Sequence, residues 1–332
     1  MEKFDPARAT ALGTLALFLT ACGGSLQSQS FTAPQSRISE SVSDASGHST
    51  SDLLYAVTDA NIAYVISYPD GKLSQTLTFA SEGAGTGACS DANGNVFITA
   101  VDAAPTNGYI YEFSHGGTAP INTINEGNST PAGCSVDKST DNLAVANNDN
   151  GNCTGGNVAI YKNASGQPQT YTIPGFQCYT AAAYDRRGDL FIGGKGYSSS
   201  SPYEIAELPP GSSQFENIVL SQSIGCFGTC VNHIEWDGTD LTVVEPTTHH
   251  TSPQVYRISI SGSKGTIVGT IQLKGRWGKY SGEGASIDGA KILLDYRPGS
   301  IATWKYPQGG AAQILIKGLE HFAKPGLTLS RG

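Results

Sequence analysis

Charge is scarce in this chain and never concentrated. Only 14% of the 332 residues are Asp, Glu, Lys or Arg, and the formal net charge is −8. No lysine- or arginine-rich run is present, so the chain lacks the electrostatic footprint of a nucleic-acid or anionic-lipid binder. Long hydrophobic runs are missing too. The apolar stretch at residues 11–19 is too short to span a bilayer as a helix. No glycine motif follows a strand to cradle a nucleotide, and no Gly-x-Ser-x-Gly elbow presents a nucleophile. The cysteines lack the paired Cys-x-x-Cys spacing of a zinc site. What remains is rich in turns: 41 glycines and 15 tyrosines, with abundant Ser, Thr and Asn around a 39% hydrophobic fraction. That composition fits a large all-β protein with enough apolar residues for a sizeable core.

Lys3 and Arg8 precede the apolar stretch, which ends at Leu19-Thr20-Ala21-Cys22-Gly23. A basic start, a short apolar core and small residues at the end read as an export signal. Leu-Thr-Ala-Cys resembles the lipobox of bacterial lipoproteins, which implies cleavage after residue 21 and a lipid on Cys22. Gly23 after the cysteine points, by the same resemblance, to the outer membrane or cell surface. Residues 22–51, rich in Ser and Gln, read as a disordered tether. The expected membrane association is through this anchor only, and the expected state is a monomer.

From residue 52 onward a pattern repeats. A strand of small residues ends at an Asp, a polar turn follows, and a strand of β-formers comes next, as in Gly87-Ala88-Cys89-Ser90-Asp91-Ala92-Asn93-Gly94-Asn95-Val96-Phe97-Ile98. The anchors are Asp91, Asp137, Asp185, Asp237, Asp288 and, weakened, Ser330, at intervals of roughly 42–52 residues. Several short strands per copy predict four-stranded antiparallel blades of a β-propeller. The N-terminal copy lacks its first strand, and residues 325–330 supply a first strand with nothing after it. Joined, they make one blade from both termini, giving a six-bladed propeller over residues 52–332 with no open edge.

This pattern resembles the six-bladed propellers of the NHL-repeat type, the streptogramin lyases and the gluconolactonase-like family. It does so through the small-Gly-small-x-Asp strands, such as Pro131-Ala132-Gly133-Cys134-Ser135-Val136-Asp137. The gluconolactonase likeness implies a divalent metal, Ca²⁺ for instance, at Asn232 and Glu283, five residues before their anchors. The lyase likeness implies an acid–base pair at His233 and Glu235, which break the rule of small residues four and two before the anchor. A satisfied hydrogen-bonded pair between blades is the other reading of those two.

The residues three and one before each anchor are mostly apolar and are expected to pack against a neighbouring blade. Opposed faces of adjacent inner strands make a Cys89–Cys134 bridge feasible. Cys226 and Cys230 can close a small loop, which leaves Cys153 for Cys178, although the spacing of six cysteines does not by itself fix one pairing; an exported protein keeps such bridges oxidised. His249 and His250 read as solvated loop residues, and Trp277 and Tyr280, near Arg276 and Lys279, as an aromatic and basic rim. The expected function is a binding or scaffold module for a protein, carbohydrate or small molecule at the cell envelope. The alternative is a metal-dependent lactonase or lyase at the channel mouth.

Overall fold

A computed structural model describes residues 51–79, 83–102, 107–149, 153–196, 201–225, 233–246, 252–277, 282–320 and 326–332. Cys22, Cys226, Cys230, Asn232, His249, His250, Lys279 and Tyr280 lie outside the described residues. Strands dominate, and the described residues contain one 3₁₀ turn, Lys162–Ala164.

Strands are numbered in chain order. The first set comprises Leu53–Val57, Ile62–Ser67 and Lys72–Thr78 (β1–β3). The second comprises Ala84–Ser90, Val96–Val101, Gly108–Phe113 and Asn122–Gly127 (β4–β7). The third runs Ser129–Val136, Leu143–Asp149, Gly156–Tyr161 and Gln169–Tyr171 (β8–β11). Cys178–Tyr184, Leu190–Lys195, Tyr203–Leu208 and Glu216–Leu220 follow (β12–β15). Next are His233–Trp236, Leu241–Glu245, Gln254–Ser261 and Lys264–Lys274 (β16–β19). The last are Ala285–Asp288, Lys291–Arg297, Ser300–Lys305, Gly309–Lys317 (β20–β23) and Gly326–Ser330 (β24).

β24 pairs antiparallel with β1, Leu53 opposite Ser330 and Val57 opposite Gly326, so the C-terminal strand completes the first set. Among the described residues the strands therefore fall into six four-stranded antiparallel sets, the blades of a propeller. β19 departs from this separation. It is 11 residues long, overhangs its own hairpin and pairs in parallel with β15 at one end and β23 at the other. The outer edges of the fourth to sixth blades are thus joined, and those strands carry fewer unpaired backbone groups.

The repeated aspartate is a turn-maker. Asp91 Oδ1 accepts from the Asn93 and Asn95 amides at 2.9 and 2.7 Å. Asp185 Oδ1 does the same for Arg187 and Asp189, and Asp237 Oδ1 for Thr239 and Asp240. A side chain that satisfies the turn's own amides fixes the reversal between first and second strands. The later reversals use glycine: Gly116 sits at φ +67° and Gly262 at +54°, where a side chain would be strained.

The core is divided between blades. Six buried apolar clusters are present among the described residues, each drawn from two adjacent blades. Leu53, Tyr55 and Val57 of β1 face the second blade, while Leu54 and Ala56 face the sixth. Leu327 and Leu329 of β24 join that last cluster with Leu293 and Ile301, so the ring closes through packing. Charge reinforces the seam. Arg331 pairs with Asp52 and, at 2.6 Å, with Asp288, whose other carboxyl oxygen accepts the Tyr68 hydroxyl. Trp277 belongs to this interior rather than to a rim: it is 6% exposed and stacks on Trp304 at 5.0 Å. An aromatic beside basic residues looks the same in sequence whether it lines a rim or fills a core.

Candidate functional site in the axial channel

The inner strands β4, β8, β12, β16, β20 and β24 surround the axis. Small residues four before the anchor follow from crowding there. A Cβ on Gly326 would lie 2.6 Å from Gly87, one on Gly87 2.7 Å from the Ala132 carbonyl, and one on Gly133 2.9 Å from that of Thr180. Each of these inner strands thus abuts the next with no room for a side chain. β16 carries His233 and Glu235 at the corresponding positions, where the other inner strands carry small residues.

A cavity of about 470 Å³ opens along the axis on the side of the aspartate turns. A second, of about 50 Å³, lies at the opposite end of the inner strands. His233 and Ile234 line both. The faces of the inner strands follow the expected register. Trp236 stacks on Phe191 of the preceding blade with centroids 6.0 Å apart, while Ser135 Oγ accepts the Tyr184 amide of the following blade at 3.0 Å. The Cys89–Cys134 disulfide joins the second and third blades, and a Cys153–Cys178 disulfide joins the third and fourth.

Glu235 Oε2 accepts the Ile287 amide of the sixth blade at 2.9 Å, the same service that Ser135 performs two interfaces earlier. His233 Nε2 stands 3.5 Å from that oxygen, buried and without a hydrogen bond. The structure therefore brings these two together in the channel wall, with one carboxylate oxygen committed to the backbone.

Glu283 lines the small cavity at the other end. Its neighbour is a carboxyl that the repeat pattern gives no reason to single out. Asp295, on β21, is buried, and Oδ1 accepts the Gly282 and Gly284 amides at 2.9 and 3.1 Å. Burial pushes its pKa up to about 8; the backbone bonds oppose the shift and the charge of Glu283 adds to it. Its one signal in sequence is a lone acid closing the apolar run Ile292-Leu293-Leu294. Among the described residues no three His, Cys, Asp or Glu side chains converge as a metal site would require. Those residues do not by themselves make up the coordination shell of a divalent ion.

The turn carboxylates along the larger cavity are already engaged. Burial works against ionising Asp137, but Thr140 and Ser139 outweigh it and hold the carboxyl below its usual range. Asp237 is likewise lowered despite burial, by the Asp240 and Thr239 amides, Tyr306 and Arg257. Arg257 reaches Asp237 and Asp240 at 2.9 and 2.6 Å, and Arg187 reaches Asp185 and Asp189 at 3.1 and 2.7 Å.

No family model and no curated protein matches this chain. Solved structures are similar in shape. A chain of a nidogen/laminin complex aligns at a TM-score of 0.60 with 11% identity, covering 84% of this chain and 98% of its own. A Bacteroides caccae protein of unknown function gives 0.59 at 10% identity, covering 86% and 100%. Hydrazine synthase of Kuenenia stuttgartiensis gives 0.51 at 12% identity, covering 74% and 70%. At such identities the likeness concerns fold alone. With the strand pairing and interblade cores, it identifies the chain as a β-propeller.

Proposed function

We propose that this protein is an exported, lipid-anchored β-propeller that serves as a binding or scaffold module at the bacterial cell envelope. In this reading residues 1–21 are a cleaved signal, Cys22 carries the lipid, residues 22–51 tether, and residues 52–332 bind. The finer kinship, with NHL-repeat, streptogramin lyase and gluconolactonase-like propellers, is part of the proposal. The observation that carries the binding reading is Glu235: in the channel wall it serves the Ile287 amide, as Ser135 serves that of Tyr184. A group already employed in holding two blades together is better suited to shaping a pocket than to turning over substrate. That a similar propeller occurs in a nidogen/laminin complex agrees with a protein partner.

The anchor is tested by expressing the wild-type chain and Cys22→Ser in a bacterium with metabolic fatty-acid labelling. Label and membrane-fraction recovery in the wild type, both lost in the variant, are expected; equal recovery without label overturns it. The enzymatic alternative draws on the same cavity, because His233 and Glu235 stand 3.5 Å apart inside it. In that reading Asn232 and Glu283 hold a divalent ion such as Ca²⁺. Saturable lactone turnover, abolished by EDTA and by Glu283→Gln, would replace the binding reading with this one.

A further inference from the structure

We infer that the larger axial cavity takes a short peptide-like zwitterion, its amine inward on Glu235 and its carboxylate outward between Lys138 and Arg186. This deepens the binding reading above and rests on it. The cavity's roughly 470 Å³ lies within the range of small-ligand pockets, about 300–1,000 Å³.

Its polarity is arranged along the axis. At depth, Glu235 is the one carboxylate two residues before an anchor, where other blades place Cys, Ser, Ala or Thr. Oε2 is taken by the Ile287 amide, and among the described residues nothing donates to Oε1, which is not buried. The other acids along the wall offer no such oxygen. Asp137 is occupied by Ser139 and Thr140, Asp185 by Arg187 and the Asp189 amide, and Asp237 by Arg257 and Tyr306. Among the described residues lining the cavity, an ammonium therefore meets a single available charged acceptor.

At the mouth the imbalance is reversed. Lys138 and Arg186 immediately follow two anchor aspartates and line the opening, and among the described residues neither makes an ion pair. Arg187, one residue on, holds Asp185 and Asp189, so Arg186 is left over. Its guanidinium lies across the fifth blade's turn, where a Cβ on Gly238 would stand 2.9 Å from Nη2. Gly238 thus makes room for Arg186 above the blade that carries Glu235. From two residues before an anchor to the anchor itself is about 7 Å along a strand, and Lys138 and Arg186 stand one residue further on, in the turns of their blades. An extended tripeptide, about 10 Å between its end charges, reaches past the level of the anchors into those turns.

Isothermal titration calorimetry with trialanine, N-acetyl-trialanine and trialanine amide tests this on the full-length protein. Trialanine is expected to bind, with acetylation weakening it at least tenfold and amidation several-fold. Glu235→Gln, which keeps an acceptor for Ile287, should erase the preference for the free amine. Lys138→Gln with Arg186→Gln, both exposed, should erase the preference for the free acid. No binding at millimolar trialanine, or equal binding of all three peptides, overturns the inference. A neutral trisaccharide run in parallel separates the two levels. If it binds where the peptides do not, the cavity remains a binding site and only the zwitterion falls.

Discussion

Glu235 shows how one side chain carries structure and site together. Its Oε2 accepts the half-buried Ile287 amide across the interface between the fifth and sixth blades. Removing an acceptor from such an amide costs about 1–3 kcal/mol. Glu235→Ala should therefore lower unfolding stability by about that amount, while Glu235→Gln stays within a few tenths; urea titrations of the two variants check it. Asp295 makes the opposite case, a carboxyl whose folded pKa is raised to about 8. The folded state keeps the proton while the unfolded chain releases it near pH 4. The stabilisation is fully present below about pH 4 and lost as pH rises to about 8. Asp295→Asn keeps an acceptor for Gly282 and Gly284 without the charge. The wild type should lose more stability than this variant between pH 5 and 8, and parallel curves from urea titrations at the two pH values would refute the assignment.

At the scale of a strand or turn, the axis sets the rules. Gly133 has an ordinary φ, so its constraint is purely steric: a Cβ would lie 2.9 Å from the Thr180 carbonyl and 3.1 Å from the Ala181 Cα, both backbone. Gly133→Ala should cost about 1–3 kcal/mol by forcing two inner strands apart. Thermal melts should register this as a clear fall. The Cys89–Cys134 bridge crosses a neighbouring interface and closes a span of 45 residues. Replacing both with Ala should cost about 3–4 kcal/mol on loop-entropy grounds, with the same fold by circular dichroism. These features were legible in the sequence because each is a local rule repeated at fixed register: the Asp that bonds its own turn, the small residue that the axis demands. The parallel pairing of β19 with β15 and β23 was not, since it depends on how far one strand overhangs its blade. Nor was Asp295. Nothing in strand periodicity marks which polar residue at the end of a second strand will be sealed from water. For the channel, sequence placed His233 and Glu235 together, but the unpaired state of Arg186 needed the partners of Arg187 and Arg257 to be known.

For the whole molecule, closure is the property on which the rest depends, and it is carried by the pairing of β24 with β1. Ser330 stands opposite Leu53, so the end of one strand lies beside the start of the other. His115 adds a tie, with Nδ1 2.5 Å from Ser330 Oγ and Nε2 3.1 Å from the Ser51 carbonyl. Ending the chain at Glu320 removes Leu327 and Leu329 from the core between first and sixth blades, strips β1 of a neighbour and deletes Arg331. An edge so exposed pairs with other chains, so the truncated protein should unfold at a much lower temperature and aggregate. The geometry also prescribes the repair. A permutant that begins at Gly326, runs through Gly332 directly into Ser51 and ends at Glu320 turns the seam into a short-looped hairpin, with every blade continuous in sequence. Hairpin connections of that length are common, so the permutant should recover the wild-type circular dichroism and a cooperative melt. If the permutant stayed unfolded while the wild type folded, β24 would not be an ordinary strand of the first blade. A truncated chain with an unchanged melt would show that the ring does not need it.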